Sequence, residues 1–239
     1  MLKKNILSII LITIIILTVM PIISFGNSVE PPSILIIVPN APNDLDITME
    51  VDGTPLRARR VNKVIETYYI FYNSDIRFTT DYNLSITSKD NDQEITLEKP
   101  TSTYQNIYTL NIEEATLTPG KLLSRSILLV SLRLVLTLII EGFVFWKFGF
   151  RKKSSWIAFL LINMITQGTL NIWINGFFPV SSYMFIALIF AEIFVLIGEL
   201  IGFRIFLKEL HKRDRILYVI VANILSLVIG GFIITNLPI

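Results

Sequence analysis

Residues 122–146 read LLSRSILLVSLRLVLTLIIEGFVFW, a long run in which only a few positions are polar. An α-helix needs about 20 mainly apolar residues to cross the hydrocarbon core of a bilayer. Three further runs of this kind follow in the chain. The four predicted transmembrane helices span about residues 122–146, 156–174, 183–206 and 216–234. The sequence therefore predicts a C-terminal four-transmembrane-helix bundle in residues 121–239.

The composition agrees with a membrane protein and excludes some kinds of chemistry. Hydrophobic residues make up 52% of the chain and charged residues only 17%, whereas a soluble domain has about 25% charged residues. Cysteine is absent and His211 is the one histidine, which excludes disulfides and argues against a His-based triad or a multi-histidine metal site. We predict no catalytic residue, no metal site and no cofactor. The enzymatic question stays open, but the sequence favours a non-enzyme.

The N-terminus has the pattern of a secretory signal sequence over residues 1–26. Lys3 and Lys4 precede an apolar stretch, and the small residues Ser24 and Gly26 follow it. A basic, apolar, then small-residue order is typical of such signals. An uncleaved anchor helix is the alternative. Both interpretations place the next segment outside the cytoplasm.

Residues 27–120 change to short alternating runs rich in Ile, Val, Thr and Tyr, separated by turn signals such as Asp52-Gly53. This pattern is typical of β-strands. The predicted strands are Ser33–Val38, Leu45–Val51, Glu66–Tyr72, Ile76–Thr80, Leu84–Thr87 and Ile107–Ile112. Such spacing predicts a small β-sandwich-like domain. The fold class is thus α+β, in a multi-region membrane protein.

Charge predicts the orientation of the chain in the cell membrane. The first and third connections between the predicted helices are rich in Lys and Arg, whereas the second, Asn175 to Ser182, has no charge. The positive-inside rule places the basic connections in the cytoplasm, so residues 27–120 and the C-terminus would be extracytoplasmic. Residues 27–119 hold fourteen acidic and seven basic residues. This asymmetry suggests two compartments and does not suggest nucleic-acid binding.

Polar residues inside the predicted helices are the best candidates for function, because a charge at mid-bilayer costs about 2.5–3.5 kcal/mol. Helical spacing places these residues on one face of each helix. The predicted intramembrane polar cluster consists of Arg133, Glu141, Asn163, Gln167, Glu192, Glu199 and Asn223.

Helical rise further predicts the depth and the pairing of these residues. We expect Arg133 to pair with Glu192 near the midplane. Glu141 and Glu199 would be neighbours closer to the cytoplasm, with Asn163 and Asn223 hydrogen-bonded to them. Three carboxylates then face one guanidinium, so the cluster should hold a proton or a bound cation. A purely structural role in holding the helices together is the alternative.

Several stretches resemble an uncharacterised family of small bacterial membrane proteins. They include Pro31-Pro32-Ser33, the run Thr166–Asn175, the helix with Glu192 and Glu199, and Asn223–Ser226. The resemblance implies four transmembrane helices and an extracytoplasmic β domain, without implying an activity. High usage of Ile, Lys and Asn suggests a Gram-positive source.

The first functional hypothesis is a non-enzymatic envelope protein. Its β domain would bind a protein or cell-wall partner, and the helix bundle would anchor it in the lipid bilayer. The alternative is a proton- or cation-coupled membrane protein that uses Arg133 and the intramembrane glutamates; because four helices are few for a transporter, it would need to form a homo-oligomer. An intramembrane hydrolase with two glutamates has the least support, because no Glu-Glu motif or membrane histidine is present.

Overall fold

The computed structural model describes residues 31–51, 53–72, 82–89, 91–97, 104–180, 184–236 and 238. The predicted signal sequence and the predicted strand Ile76–Thr80 lie outside these residues. The strands are β1 Ser33–Pro39, β2 Asp46–Val51, β3 Thr54–Arg57, β4 Arg59–Asn62, β5 Glu66–Tyr72, β6 Tyr82–Ser88, β7 Asn91–Leu97, β8 Gln105–Asn111 and β9 Thr116–Pro119. The helices are α1 Leu123–Lys147, α2 Lys153–Asn175, α3 Met184–Phe206 and α4 Lys212–Asn236.

The strands form two sheets that share one apolar core. The first sheet has the order β4-β5-β1-β8-β9 and the second the order β3-β2-β6-β7. Alternate residues of β1, including Ile34 and Ile36, pack with Met49 and Leu84 from the second sheet. The alternation arises because successive side chains on a strand point to opposite faces. Five predicted strands are confirmed; β3, β4, β7 and β9 were not predicted.

The other face of the first sheet is also buried. Leu35, Ile37, Tyr68 and Ile70 form a second apolar cluster with Phe178, which lies between α2 and α3. This packing explains why β1 and β5 are almost continuously apolar, since strands covered on both faces lose the polar alternation. The β domain therefore packs directly on one end of the helical region.

The four helices form a closed ring. α1 packs against α2 and α4, and α3 packs against the same two helices. All four are long and apolar enough to cross a membrane, and their bounds differ from the predicted ones by four residues or fewer. α2 and α3 approach closely at Gly202, where an added Cβ would lie 3.1 Å from Ile162. The fold therefore defines a helical bundle with apolar outer surfaces.

The end of the bundle remote from the β domain has two distinguishing features. The basic residues of the α1–α2 and α3–α4 connections lie there, between Lys147 and Lys153 and between Lys208 and Arg215. A group of aromatic rings that includes Phe145, Phe159 and Tyr218 fills the interior at this end. This aromatic group fills the helix interior between the polar residues and the basic connections.

Candidate intramembrane polar site

Six of the seven predicted cluster residues are buried in the helix ring. Their side chains are 0–5% exposed, and the seventh, Glu192, is half-buried. Helical spacing is the physical reason, because residues three, four or seven apart share one face. The six buried residues are Arg133, Glu141, Asn163, Gln167, Glu199 and Asn223.

Glu141 and Glu199 are held by neutral donors from the same two helices. Glu141 Oε1 accepts hydrogen bonds from Ser226 Oγ at 3.0 Å and from Gln167 Nε2 at 3.3 Å. Glu199 Oε1 accepts from Thr166 Oγ1 at 3.2 Å, and Glu199 Oε2 accepts from Asn223 Nδ2 at 2.5 Å. Both carboxylates thus lie between α2 and α4, so these donors bring the two glutamates into one site.

Of the two predicted contacts between an asparagine and a glutamate, one is confirmed and one is wrong. Asn223 binds Glu199 as expected. Asn163 does not bind a glutamate among the described residues: its Nδ2 donates to Phe159 O, one turn earlier on α2, at 2.9 Å. This local bond satisfies the amide donor within its own helix. Gln167, whose side chain is one methylene longer, makes the contact with Glu141 instead.

The predicted ion pair between Arg133 and Glu192 is wrong. Arg133 Nε donates to Leu129 O at 3.2 Å, and within the described part of the chain its two Nη atoms have no hydrogen-bond partner, like Glu192 Oε2. The physical reason is that helical side chains tilt toward the N-terminus of their helix, which draws the guanidinium toward its own preceding turn.

Arg133 and Glu192 instead line one polar cavity. The cavity has a volume of about 30 Å³, and Gln167, Asn171 and Ser226 also line it. That volume is room for at least one water molecule beside several polar partners. Ser226 and Gln167 also bind Glu141. The cavity therefore borders the donors of the carboxylate pair.

A second polar contact, absent from the sequence predictions, joins the β domain to α1. Arg125 Nε donates to Glu66 Oε2 at 2.7 Å, and Arg125 Nη2 donates to Glu66 Oε1 and, at 3.1 Å, to the Tyr68 hydroxyl. Glu66 is 3% and Arg125 8% exposed. The one carboxylate in a strand that is mostly aromatic and apolar was the signal that could have indicated this bond.

Lys121 reinforces the same junction from the chain segment before α1. Its Nζ donates to Asn175 O and to Phe177 O, both at 2.7 Å. These carbonyls lie at the C-terminal end of α2, where a basic side chain satisfies carbonyls that have no partner inside the helix. Lys121 therefore ties the segment that follows β9 to the α2–α3 connection.

Lys121 should make the stability of the protein depend on pH. Burial, followed by the charges of Arg125 and Arg133, lowers the pKa of Lys121 to about 7, while Glu66 acts in the opposite direction. An unfolded lysine has a pKa of about 10.4. Between these values the unfolded chain binds more protons than the folded chain, so stability should rise from about pH 7 to about pH 10. Thermal unfolding midpoints in detergent measure this rise.

The Lys121→Met variant should lose most of that rise with pH. Lys147→Met, which removes an exposed lysine at the other end of α1, is the matched control and should keep it. An equal pH dependence in wild type and Lys121→Met would contradict the prediction.

Fold and site together define a multi-pass membrane protein with a β-sheet domain. Among the residues that the structure describes, no three His, Cys, Asp or Glu side chains are grouped so that they could hold a metal ion. Comparison of the chain with protein-family models, with curated proteins and with solved structures found no match. The resemblance to a bacterial membrane family stays a prediction.

Proposed function

We propose that the protein is a proton- or cation-coupled membrane protein whose binding site is the Glu141–Glu199 pair. One observation carries the proposal: both carboxylates are 0% exposed, yet the donors that the described residues offer them are all neutral. A buried uncompensated charge is very unfavourable. The pair therefore requires at least one proton or one bound cation.

The surrounding atoms support such an occupant, because two acceptor oxygens of the site have no donor among the described residues. Glu141 Oε2 and Asn223 Oδ1 are buried and have no hydrogen-bond partner within the described ranges. Unsatisfied buried oxygens cost free energy, and a proton on a carboxyl or a monovalent cation would satisfy them. Carboxylate, amide and hydroxyl oxygens are also the ligands that hard cations prefer. The donor set thus fits the proposed chemistry.

The polar cavity lies beside this pair and adds polar groups to the site. Glu192 lines it in the half-buried position, and Ser226 connects it to Glu141. The guanidinium of Arg133 places a fixed positive charge on the cavity wall, which disfavours cation residence in the cavity itself. Chains of ionisable and polar residues in membranes are typical of proton and ion pathways.

Partner binding by the outer domain is the second candidate function. A groove of about 530 Å³ lies on the β domain between the end of β1 and the β8–β9 hairpin, beside Glu113 and Glu114. A protein or cell-wall partner could occupy it. The apolar face with Tyr68 does not serve this purpose, because Phe178 covers it. In this proposal the β domain is extracytoplasmic and the basic connections are cytoplasmic.

Ion-dependent stability tests the primary proposal. Purified protein should unfold at a higher temperature in one of Na⁺, K⁺ or Li⁺ than in choline at equal ionic strength, or should show the infrared C=O stretch of a protonated carboxyl group. The Glu141→Gln/Glu199→Gln variant keeps the size of both side chains but replaces one acceptor oxygen of each by an amide donor, and it should lose the ion response or the band. Glu114→Gln, an exposed change on the β domain, should keep it.

Two results would count against the ion site. The first is a wild-type protein with neither an ion response nor a protonated carboxyl band. The second is a double glutamine variant that accumulates normally and retains the full wild-type response. Loss of the signal in the double variant with normal accumulation supports the proposal, and loss of function with retained accumulation in cells supports its physiological use.

A further inference from the structure

A groove between α3 and α4 lies at the bundle end remote from the β domain. Its volume is about 250 Å³. Leu200, Phe203 and Val219 are among the apolar residues that line it, and the remaining lining side chains are basic. The groove thus combines an apolar wall within the span with a charged end.

Three cations converge on that end, and none of the described residues that line the groove is acidic. The three are Arg204 from the last turn of α3, and Lys212 and Arg215 from the first turn of α4. The acidic residue of the α3–α4 connection, Glu209, accepts bonds from the backbone N–H groups of Arg151 and Lys152. Asp214 lies in the first turn of α4 but does not line the groove. The lining of the groove therefore has a net positive charge.

Arg215 is held at the groove by backbone carbonyls. Its Nη1 donates to the backbone oxygens of Leu207 and Arg204. Its Nε atom is buried and meets no hydrogen-bond acceptor in the part of the chain that the structure describes. The backbone bonds hold the guanidinium at the groove, so little conformational entropy is lost when it meets a phosphate.

The basic end and the apolar wall of the groove are arranged like the headgroup and the acyl chain of a membrane lipid. Arg204 lies in the last turn of α3 and Leu200 lies four residues earlier, so the apolar part extends about 6 Å along the helix from the charged end. Basic pockets between transmembrane helices bind anionic headgroups, and apolar grooves beside them hold acyl chains. By contrast, the groove beside Phe190 and Phe194 is lined by described residues that carry no charge, and it offers no headgroup selectivity.

We propose that the groove between α3 and α4 is a binding site for an anionic phospholipid. Arg204, Lys212 and Arg215 bind the phosphate, and one acyl chain lies along Leu200 and Phe203. The inference does not depend on the carboxylate pair, because none of its residues belongs to that site.

Lipid retention measured by native mass spectrometry tests the site. Protein from mixed micelles of phosphatidylglycerol and phosphatidylcholine should retain phosphatidylglycerol preferentially. The Arg204→Gln/Lys212→Gln variant removes two of the three cations and should lower this preference by on the order of tenfold. Lys208→Gln/Arg213→Gln is the matched control, because it removes the same charge from nearby exposed positions that do not line the groove.

Two further measurements distinguish a lipid in the groove from a free anion held by the basic residues alone. Ile201→Trp should fill the groove without changing charge, and should reduce retention in a protein that keeps Arg204 and Lys212. Inorganic phosphate at the same concentration should not displace the lipid. Equal retention of both lipids by the wild type, equal loss in the control variant, or full displacement by inorganic phosphate would overturn the proposal.

Discussion

Replacing Arg125 by leucine should lower the free energy of unfolding by about 3–5 kcal/mol, the usual cost of leaving one partner of a buried ion pair alone. Glu66 is 3% exposed, and the substitution would leave it buried without the guanidinium that now binds both carboxylate oxygens. Denaturant titration of the purified protein in detergent measures the loss. Limited proteolysis should also cut the β domain faster, because the contact between β5 and α1 holds it on the bundle.

A double variant shows whether the effect is specific to the pair. Glu66→Leu together with Arg125→Leu should recover most of the lost stability, because apolar residues of similar size often replace a buried ion pair at little cost. Arg59→Leu, an exposed change on β4, should have an effect below about 0.5 kcal/mol. If Arg125→Leu behaved like Arg59→Leu, the ion pair would not hold the two regions together.

A strong Arg125 effect would have a consequence for function. The first sheet contacts the bundle through Glu66, through Tyr68 and through the apolar cluster around Phe178. Packed contacts of this kind transmit a displacement from one region to the other. Binding of a partner to the β domain would then affect the helix that also holds Arg133 and Glu141.

The sequence predicted the helices and the central strands because their signals are strong. A long run of apolar residues predicts a transmembrane helix, and apolar residues such as Ile, Val and Tyr at alternate positions predict a half-buried strand. β3 and β4 were missed because they are four-residue strands with mostly exposed side chains. β7 was missed because its start, Asn91-Asp92, reads as a turn, although those residues pair with Ser88 and Thr87 of β6.

Spacing predicted which side chains share the helix interior, but it could not choose their partners. Asn163 and Gln167 lie on the same face of α2, one turn apart, so both are candidates for Glu141. The choice of Gln167 depends on the length of the side chain and on the bond that Asn163 makes with its own helix. The partner of Arg133 could not be predicted from spacing either, because the direction of its side chain toward Leu129 depends on its rotamer.

The contact between Glu66 and Arg125 could not be predicted from the sequence, for a different reason. The two residues are 59 positions apart, and each has an ordinary local interpretation. A glutamate at the start of a strand is usually solvated, and an arginine in the first turn of a transmembrane helix usually reaches the interface. Their pairing depends on how the β domain packs on the bundle, which a single sequence does not determine.

Replacing Phe145 by alanine should lower the free energy of unfolding by about 3 kcal/mol, the scale for truncating a fully buried aromatic side chain. Phe145 is 0% exposed. Its ring stacks on Phe150 with centroids 4.0 Å apart and lies 4.9 Å from Phe159 and 5.1 Å from Tyr218. These three partners belong to the α1–α2 connection, α2 and α4, so the resulting cavity would loosen several contacts of α1 together. Detergent-based unfolding titration measures the loss.

Phe143→Ala is the matched control, because it makes the same truncation two residues earlier on α1, at a position that is 57% exposed. Lipid chains can replace the lost contacts there, so its effect should stay below about 1 kcal/mol.

Phe145 lies one turn after Glu141, so its loss should also weaken the bonds from Gln167 and Ser226 to that carboxylate. Phe145→Ala should therefore reduce the ion response of the protein, and Phe143→Ala should leave it intact. Equal stability losses in the two variants would show that the aromatic group does not hold α1 in place.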